Sequence, residues 1–149
     1  RVTTAESCTG GGIAEAITRV AGSSAWFETG FVTYANRSKQ RWLGVEAEVL
    51  EANGAVSEPV VQGMATGALA AAEAQFAVAV SGIAGPDGGS VDKPVGTVWF
   101  GWALADGRVL TERKRFHGGR REVRAQTVLH ALERLVGEAE KQAANRLSV

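Results

Sequence analysis

A serine and a cysteine stand side by side in the stretch Val2-Thr3-Thr4-Ala5-Glu6-Ser7-Cys8-Thr9-Gly10-Gly11-Gly12, between a β-branched run and three glycines. Either side chain can act as a nucleophile. Val2 to Thr4 suit the end of a strand, because β-branched side chains fit a pleated, half-buried surface. From Ile13, apolar residues recur at Ile13, Ala16, Ile17 and Val20, which is helix spacing. The turn between carries Glu6, Ser7, Cys8 and Thr9. Such a turn offers free backbone N–H groups at the positive end of a helix, where a phosphate or a developing oxyanion is stabilised. Glycines let that backbone come close to a ligand. The plain alternative is a tight turn whose hydroxyls cap the helix, and taken alone the stretch supports either.

The rest of the chain must position these groups. Its 149 residues predict a single domain over 1–149 that buries roughly two-thirds of its unfolded surface. Acidic and basic residues balance at 16 each, so nothing points to nucleic acid or an anionic membrane as partner. One Cys excludes an internal disulfide framework, and with two distant His it gives no metal-ligand spacing. No metal or cofactor is implied. No signal peptide or run of about 18 apolar residues is present, which makes the cytoplasm the expected location. The chain begins with Arg1 in mid-pattern, as if a segment preceded it.

After the first helix, Phe27 to Tyr34 is rich in aromatic and β-branched residues and predicts a strand. Asn36 is expected to cap a short helix through Leu43, stopped by Gly44. A further helix is expected over Glu46–Glu51, then one over 58–73 behind Ser57, with Val61, Met64, Ala65, Ala68, Leu69 and Ala72 inward. Its small residues suggest close packing against a sheet or a sister helix. Phe76 to Ser81 is a buried strand, and Gly82 to Lys93 a loop long enough to be functional or mobile. Val95–Leu104 and Arg108–Phe116 form a hairpin about Asp106-Gly107. A last helix runs from about Arg120 to Lys141, with Val123, Thr127, Val128, Ala131, Leu132, Leu135 and Val136 inward, followed by a frayed tail over 145–149. The order predicts a three-layer α/β/α sandwich with a mixed, partly parallel sheet. Ligands in such sheets sit at the carboxyl ends of the parallel strands, here the loops after Thr4, Tyr34 and Val80. The Ala/Gly-rich helix and the hairpin edge invite self-association, with a symmetric dimer or higher homo-oligomer as the expectation.

Several blocks together resemble one family. They are Thr4-Ala-Glu-Ser-Cys-Thr-Gly-Gly11, Gly22-Ser-Ser-Ala-Trp-Phe27, Gly30-Phe-Val-Thr-Tyr-Ala-Asn36 with Lys39, Gly54-Ala-Val-Ser57, Ser81-Gly-Ile-Ala-Gly-Pro-Asp-Gly-Gly89, Lys93-Pro-Val-Gly-Thr-Val-Trp99, and Phe116 with Arg120 and Arg124. Their order and spacing closely resemble the CinA C-terminal domain, whose stand-alone form is nicotinamide-nucleotide amidase. The resemblance covers nearly the whole chain. It implies hydrolysis of nicotinamide mononucleotide to nicotinate mononucleotide and ammonia in pyridine-nucleotide recycling, by a serine assisted by a lysine and a tyrosine. Those roles fall on Ser7, Lys39 and Tyr34. Further binding positions fall on Ser81 and the arginine at Arg120, where the family's usual Gly-Asp-Arg is Gly118-Gly119-Arg120 followed by Arg121. The family's helix before the first strand is absent from this chain.

The residues support such a mechanism on their own account. A serine hydroxyl needs a base to take its proton. His117 lies at a strand end and His130 in mid-helix, far from the candidate loops, which leaves a Ser–Lys pair. If Asn36 caps its helix, Lys39 occupies the first turn, where the helix dipole opposes an ammonium and favours the free amine. Tyr34, the sole Tyr, could relay or orient the proton. The N–H groups of Cys8, Thr9 and Gly10 are candidate oxyanion donors. Ser81, Gly82, Arg120, Arg124 and Lys93 are candidates for holding substrate, its phosphate above all. Cys8 is the rival nucleophile, Glu6 has a structural or binding role, and Trp26 or Phe27 is a candidate to stack a pyridine ring. A second reading needs no nucleophile: a nucleotide- or phosphate-binding regulatory module. The separation of Lys39 from Ser7 discriminates the two.

Overall fold

In a computed structural model of the chain, residues 1–147 are described. Five strands form one sheet: β1 (Val2–Glu6), β2 (Phe31–Val32), β3 (Phe76–Gly82), β4 (Thr97–Leu104) and β5 (Val109–Arg115). Their order across the sheet is β2-β1-β3-β4-β5. β1 pairs in parallel with β2 and β3, while β4 runs antiparallel to both β3 and β5. Five helices flank the sheet: α1 (Gly12–Thr18), α2 (Asn36–Leu43), α3 (Ala47–Asn53), α4 (Glu58–Ala71) and α5 (Arg120–Leu147). This is the expected α/β/α sandwich with a mixed sheet.

The strands sort their side chains by size between two cores. Ala77, Ala79 and Ala103 face α4 in one buried cluster with Val60, Val61, Met64, Ala65 and Ala68. Val78, Val80, Val98, Phe100 and Trp102 face α1 and α5 in the other, with Ile13, Ile17, Val123, Ala131 and Leu135. Small residues on the α4 side allow a close approach. A Cβ built on Gly101 would lie 2.7 Å from the Val61 carbonyl oxygen. α4 meets its sister helix still more tightly, since a Cβ on Gly67 would lie 1.8 Å from the Leu43 carbonyl oxygen at the end of α2. The small residues of α4 therefore serve both partners, sheet and helix.

Several boundaries differ from the sequence reading. Only Phe31–Val32 of the stretch 27–34 pairs as a strand, with Phe27 making a single bridge to Val2. Gly30 presses directly on β1, where a Cβ would lie 2.6 Å from Thr4 Oγ1. Ala35, not Asn36, is the N-cap of α2, and no side chain caps it. Ser57 stands at the N-cap of α4, yet its hydroxyl donates to the Gly54 carbonyl instead of capping. Val136 is 54% exposed and faces outward. α5 continues to Leu147, so 145–147 are helical; the remainder of the expected frayed tail, 148–149, lies outside the described residues. No helix among the described residues is long and apolar enough to cross a membrane.

The contact of Gly67 with α2 yields a direct test. Gly67→Ala is expected to destabilise the protein by roughly 3 kcal/mol, the upper end of ordinary overpacking, because backbone cannot move aside as a side chain can. At about 2–4 °C per kcal/mol for a domain of this size, a melting temperature within 2 °C of wild type would refute the packing argument.

Candidate active site

The parallel strands end at one level. Glu6 is in register with both Val32 and Val80, the Ser7 N–H donates to the Val80 carbonyl, and the Thr33 N–H donates to the Glu6 carbonyl. From β1 the chain goes to β2 on one side and, by way of α2–α4, to β3 on the other, with the connecting helices on opposite faces. The carboxyl end of β1 is thus the switch point at which an open α/β sheet places a ligand. Ser7 is the first residue beyond it.

Lys39 reaches Ser7 from α2. Its Nζ lies 3.0 Å from Ser7 Oγ, 2.8 Å from the Thr33 carbonyl oxygen and 3.1 Å from the Tyr34 carbonyl oxygen. Both partners are buried, with Lys39 at 1% exposure. Burial pushes the Lys39 amine down to about 8, against a smaller upward pull from Cys8. Desolvation thus lowers this value, where the sequence had suggested the helix dipole; Lys39 is the fourth residue of α2. Three oxygens surround the nitrogen. An ammonium can donate to all three. A neutral amine donates to the two carbonyls, which have no proton to return, and turns its lone pair to the serine hydroxyl.

The turn that carries Ser7 is held from both sides. Glu6, fully buried, accepts from Thr9 Oγ1 at 2.6 Å, from the Ile13 N–H at 2.7 Å and from the Ala14 N–H at 3.0 Å. The positive end of α1 is therefore filled by the chain's own carboxylate, and a substrate phosphate has no place there. The Gly10 N–H closes onto the Ser7 carbonyl at 3.0 Å, which removes it from the oxyanion donors expected at Cys8, Thr9 and Gly10. Arg124 Nε and Nη2 donate to the Cys8 and Thr9 carbonyls at 3.1 and 3.0 Å. Arg124 thus supports the turn instead of lining the cleft. The Cys8 thiol is 6% exposed and burial pushes it up to about 11, so at neutral pH it is not the thiolate a cysteine nucleophile requires.

A cleft of about 300 Å³ opens over this pair, lined by Ser7, Cys8, Tyr34, Gly82–Gly85, Asp87–Gly89 and Arg120. Arg120 Nη1 donates to the Gly85 carbonyl and Nη2 to the Tyr34 hydroxyl, so one guanidinium joins three walls. Tyr34 is 62% exposed, and its hydroxyl meets Arg120, not Ser7 or Lys39; it is the Tyr34 carbonyl that touches Lys39. Ser81 is buried at the end of β3 next to the cleft-lining Gly82. Lys93 turns elsewhere, donating to the Asn53 carbonyl at 2.7 Å. Trp26 lies at the other end of the sheet, in an apolar groove with Val2, Ile17, Phe76 and Val136, and Phe27 packs against Val2 and the second core, so neither stacks a ring over Ser7.

A model of the CinA C-terminal domain matches residues 1–138. The chain belongs to this family. It is 61% identical to nicotinamide-nucleotide amidohydrolase PncC of Escherichia coli K12 over 134 residues, 90% of this chain and 81% of the relative. The Pseudomonas putida protein of the same name is 64% identical over 137 residues, 91% and 84% of the two chains. Among solved structures, the competence/damage-inducible protein CihA of Agrobacterium tumefaciens superposes with a TM-score of 0.89 at 52% identity, covering 91% of this chain and 83% of the other.

In this member of the family, the sequence did not point to the Thr33 and Tyr34 carbonyls, which hold Lys39, or to Asp87, the cleft's carboxylate. Backbone acceptors leave no residue-type signal. Asp87 was visible inside the glycine loop but had no partner to single it out.

The depressed Lys39 value has a measurable consequence. A lysine whose folded value lies below its unfolded one binds fewer protons in the native state, so stability rises with pH between the two values. From about 8 to 10.5, wild type should gain stability relative to Lys39→Met, by on the order of 3 kcal/mol at about 1.4 kcal/mol per pH unit. Urea denaturation of both proteins at pH 7.5, 9 and 10 measures this; parallel pH profiles would show that Lys39 is not depressed.

Proposed function

We propose that this chain is a serine amidase that hydrolyses nicotinamide mononucleotide to nicotinate mononucleotide and ammonia. The observation that carries the reading is the 3.0 Å contact between the buried Lys39 amine and Ser7 Oγ at the sheet's switch point. A module that only bound a nucleotide would have no reason to desolvate an amine against a hydroxyl. The substrate is taken from the name borne by relatives 61% and 64% identical to this chain.

In this scheme neutral Lys39 takes the Ser7 proton as Oγ attacks the carboxamide carbon. The resulting ammonium returns a proton to the amide nitrogen, and ammonia leaves. Water then attacks the acyl-serine, with Lys39 accepting one of its protons and delivering it to Ser7 Oγ as the carboxylic acid departs and loses its remaining proton to solvent. The Thr33 and Tyr34 carbonyls stabilise Lys39 in both states, which keeps it aimed at Ser7 through the cycle. The Cys8 N–H, on the cleft side of the turn, is the candidate donor to the oxyanion. Arg120 uses two of its five N–H donors on Gly85 and Tyr34, leaving three for an anionic group of the substrate. Tyr34 orients Arg120 through its hydroxyl and Lys39 through its carbonyl, a positioning part in place of a direct proton relay. This is chemistry for the cytoplasm, where pyridine nucleotides are recycled, and it needs neither metal nor cofactor.

Ammonia release from nicotinamide mononucleotide, compared with nicotinamide riboside and simple amides, tests the substrate. Ser7→Ala and Lys39→Met are expected to lower kcat by at least about a thousandfold, as when a nucleophile or its base is removed. kcat/KM should rise with pH to a plateau, with an apparent pKa near the value of about 8 for Lys39. Cys8→Ala should retain activity. Wild-type turnover in Ser7→Ala would sink the mechanism, and turnover of the riboside equal to that of the nucleotide would sink the phosphate role of Arg120.

A further inference from the structure

We infer that Arg124 is a positioning residue for the nucleophile turn: it fixes the peptide planes after Ser7 so that their carbonyl oxygens face away from the site of oxyanion formation. The inference rests on the amidase reading above. It concerns a side chain that makes no contact with the cleft.

Arg124 stands one helical turn beyond Arg120 on α5, so the two guanidinium groups leave the same helix face. They go to opposite sides of the turn. Arg120 lines the cleft, whereas Arg124 lies in a separate depression of about 260 Å³ behind it, with Thr9, Gly12, Glu15, Arg19 and Val128. From there its fork holds two successive carbonyls, those of Cys8 and Thr9. In a trans peptide the C=O of one residue and the N–H of the next point in opposite directions, so holding the Cys8 carbonyl sets the Thr9 N–H, and holding the Thr9 carbonyl sets the Gly10 N–H that closes onto Ser7. A positive charge on the Cys8 carbonyl oxygen further polarises that amide, which strengthens the Thr9 N–H as a donor at the turn.

The turn needs such a hold. It ends in Gly10 and Gly11, both at positive φ, 58° and 102°. Glycine visits these conformations as readily as their mirror images, so the backbone sterics of Gly10 and Gly11 set no barrier to rotation of the Thr9–Gly10 peptide plane. A rotated Cys8 or Thr9 carbonyl would present a partial negative charge beside the nucleophile, where negative charge develops in the transition state. Glu6 fixes the Thr9 side chain and the start of α1, and the Gly10 N–H fixes the Ser7 carbonyl. The carbonyls of Cys8 and Thr9 are left to Arg124, with the Gly12 N–H as a second donor to Thr9. The effect is confined to charge development, so it belongs in kcat and not in KM.

The test uses Arg124→Lys, Arg124→Gln and Arg124→Ala beside wild type, each checked for its melting temperature. Two readouts are taken: kcat and KM for nicotinamide mononucleotide, and the rate at which a fluorophosphonate labels Ser7. Arg124→Gln and Arg124→Ala are expected to lose roughly 10- to 100-fold in both kcat and labelling rate, less than the roughly 10²–10³ for deleting an oxyanion donor itself. KM should stay within about twofold. Arg124→Lys, which cannot bridge two carbonyls, should fall between, and added methylguanidine should partly restore Arg124→Ala. A rise in KM with kcat unchanged would make Arg124 a substrate-binding residue and overturn the inference. So would losses that track unfolding and resist methylguanidine. Labelling keeps the two readings apart: a wild-type Ser7 that reacts with the probe but does not turn over the nucleotide defeats the substrate assignment while Arg124 is still tested. A wild-type Ser7 inert to both defeats both.

Discussion

The structure is arranged around a buried amine. Lys39 at 1% exposure, with three oxygen partners and no carboxylate, is an unfavourable element unless its nitrogen is fully hydrogen-bonded and free to lose its charge. Two backbone carbonyls and the Ser7 hydroxyl meet the first condition, and burial meets the second. The Thr33 and Tyr34 carbonyls project from the end of β2, Ser7 from the end of β1, and the amine arrives from α2 on the α4 face of the sheet. The position of α2 relative to the strand ends is therefore the quantity that the fold must control. Gly67 controls it, because the backbone-to-backbone approach of α4 and α2 admits one separation only. A side chain at 67 would move Leu43, one turn beyond Lys39, and the amine with it.

The same layering explains where negative charge can be received. A helix N-terminus beside Ser7 would ordinarily be a phosphate site. Here Glu6 occupies it internally through the Ile13 and Ala14 N–H groups, which removes the general anion site. Positive charge at the cleft has another source. It comes from the first turn of α5, where Arg120 crosses the cleft mouth to Gly85 and Tyr34. An arginine at a helix start is unfavourable to the dipole, and its placement makes sense as a group whose partners lie across a cleft and not along its own helix.

The elements were legible where periodicity was strong. α4, α5, β3 and the β4–β5 hairpin announce themselves through apolar spacing and Asp106-Gly107. The stretch 27–34 was misread because aromatic and β-branched residues mark a half-buried surface, whether or not the backbone pairs. Gly30, pressed on Thr4, interrupts what looked continuous. In the site, the Ser7–Lys39 pairing was legible by residue type and by the absence of a nearby histidine. The sign of the Lys39 shift was legible too, although its cause is burial and not the dipole. Arg124 and Lys93 show the limit. A basic residue near a glycine loop has the same sequence signature whether it faces a ligand or a carbonyl of its own chain. Only the direction of the side chain distinguishes the cases, and that is set by tertiary packing.

Local cost concentrates beneath the site. Among the described residues, the buried side-chain atoms without a hydrogen-bond partner are Thr4 Oγ1, Thr33 Oγ1 and Glu138 Oε2. Two of the three belong to β1 and to the residue following β2, and one of those two residues lends its carbonyl to Lys39. An unmade hydrogen bond of this kind costs about 1–3 kcal/mol, comparable to the burden of the buried amine itself. Far from the strand ends, Glu138 Oε2 has an ion-pair partner in Arg108 at 3.7 Å, Trp102 finds the Ala131 carbonyl at 3.1 Å, and Thr127 the Val123 carbonyl at 2.7 Å. A sequence selected for stability alone would place apolar residues at 4, 33 and 39. That it places two threonines and a lysine there, and offsets them with close small-residue packing on α4, locates by energetics the point that residue chemistry had already marked at Ser7.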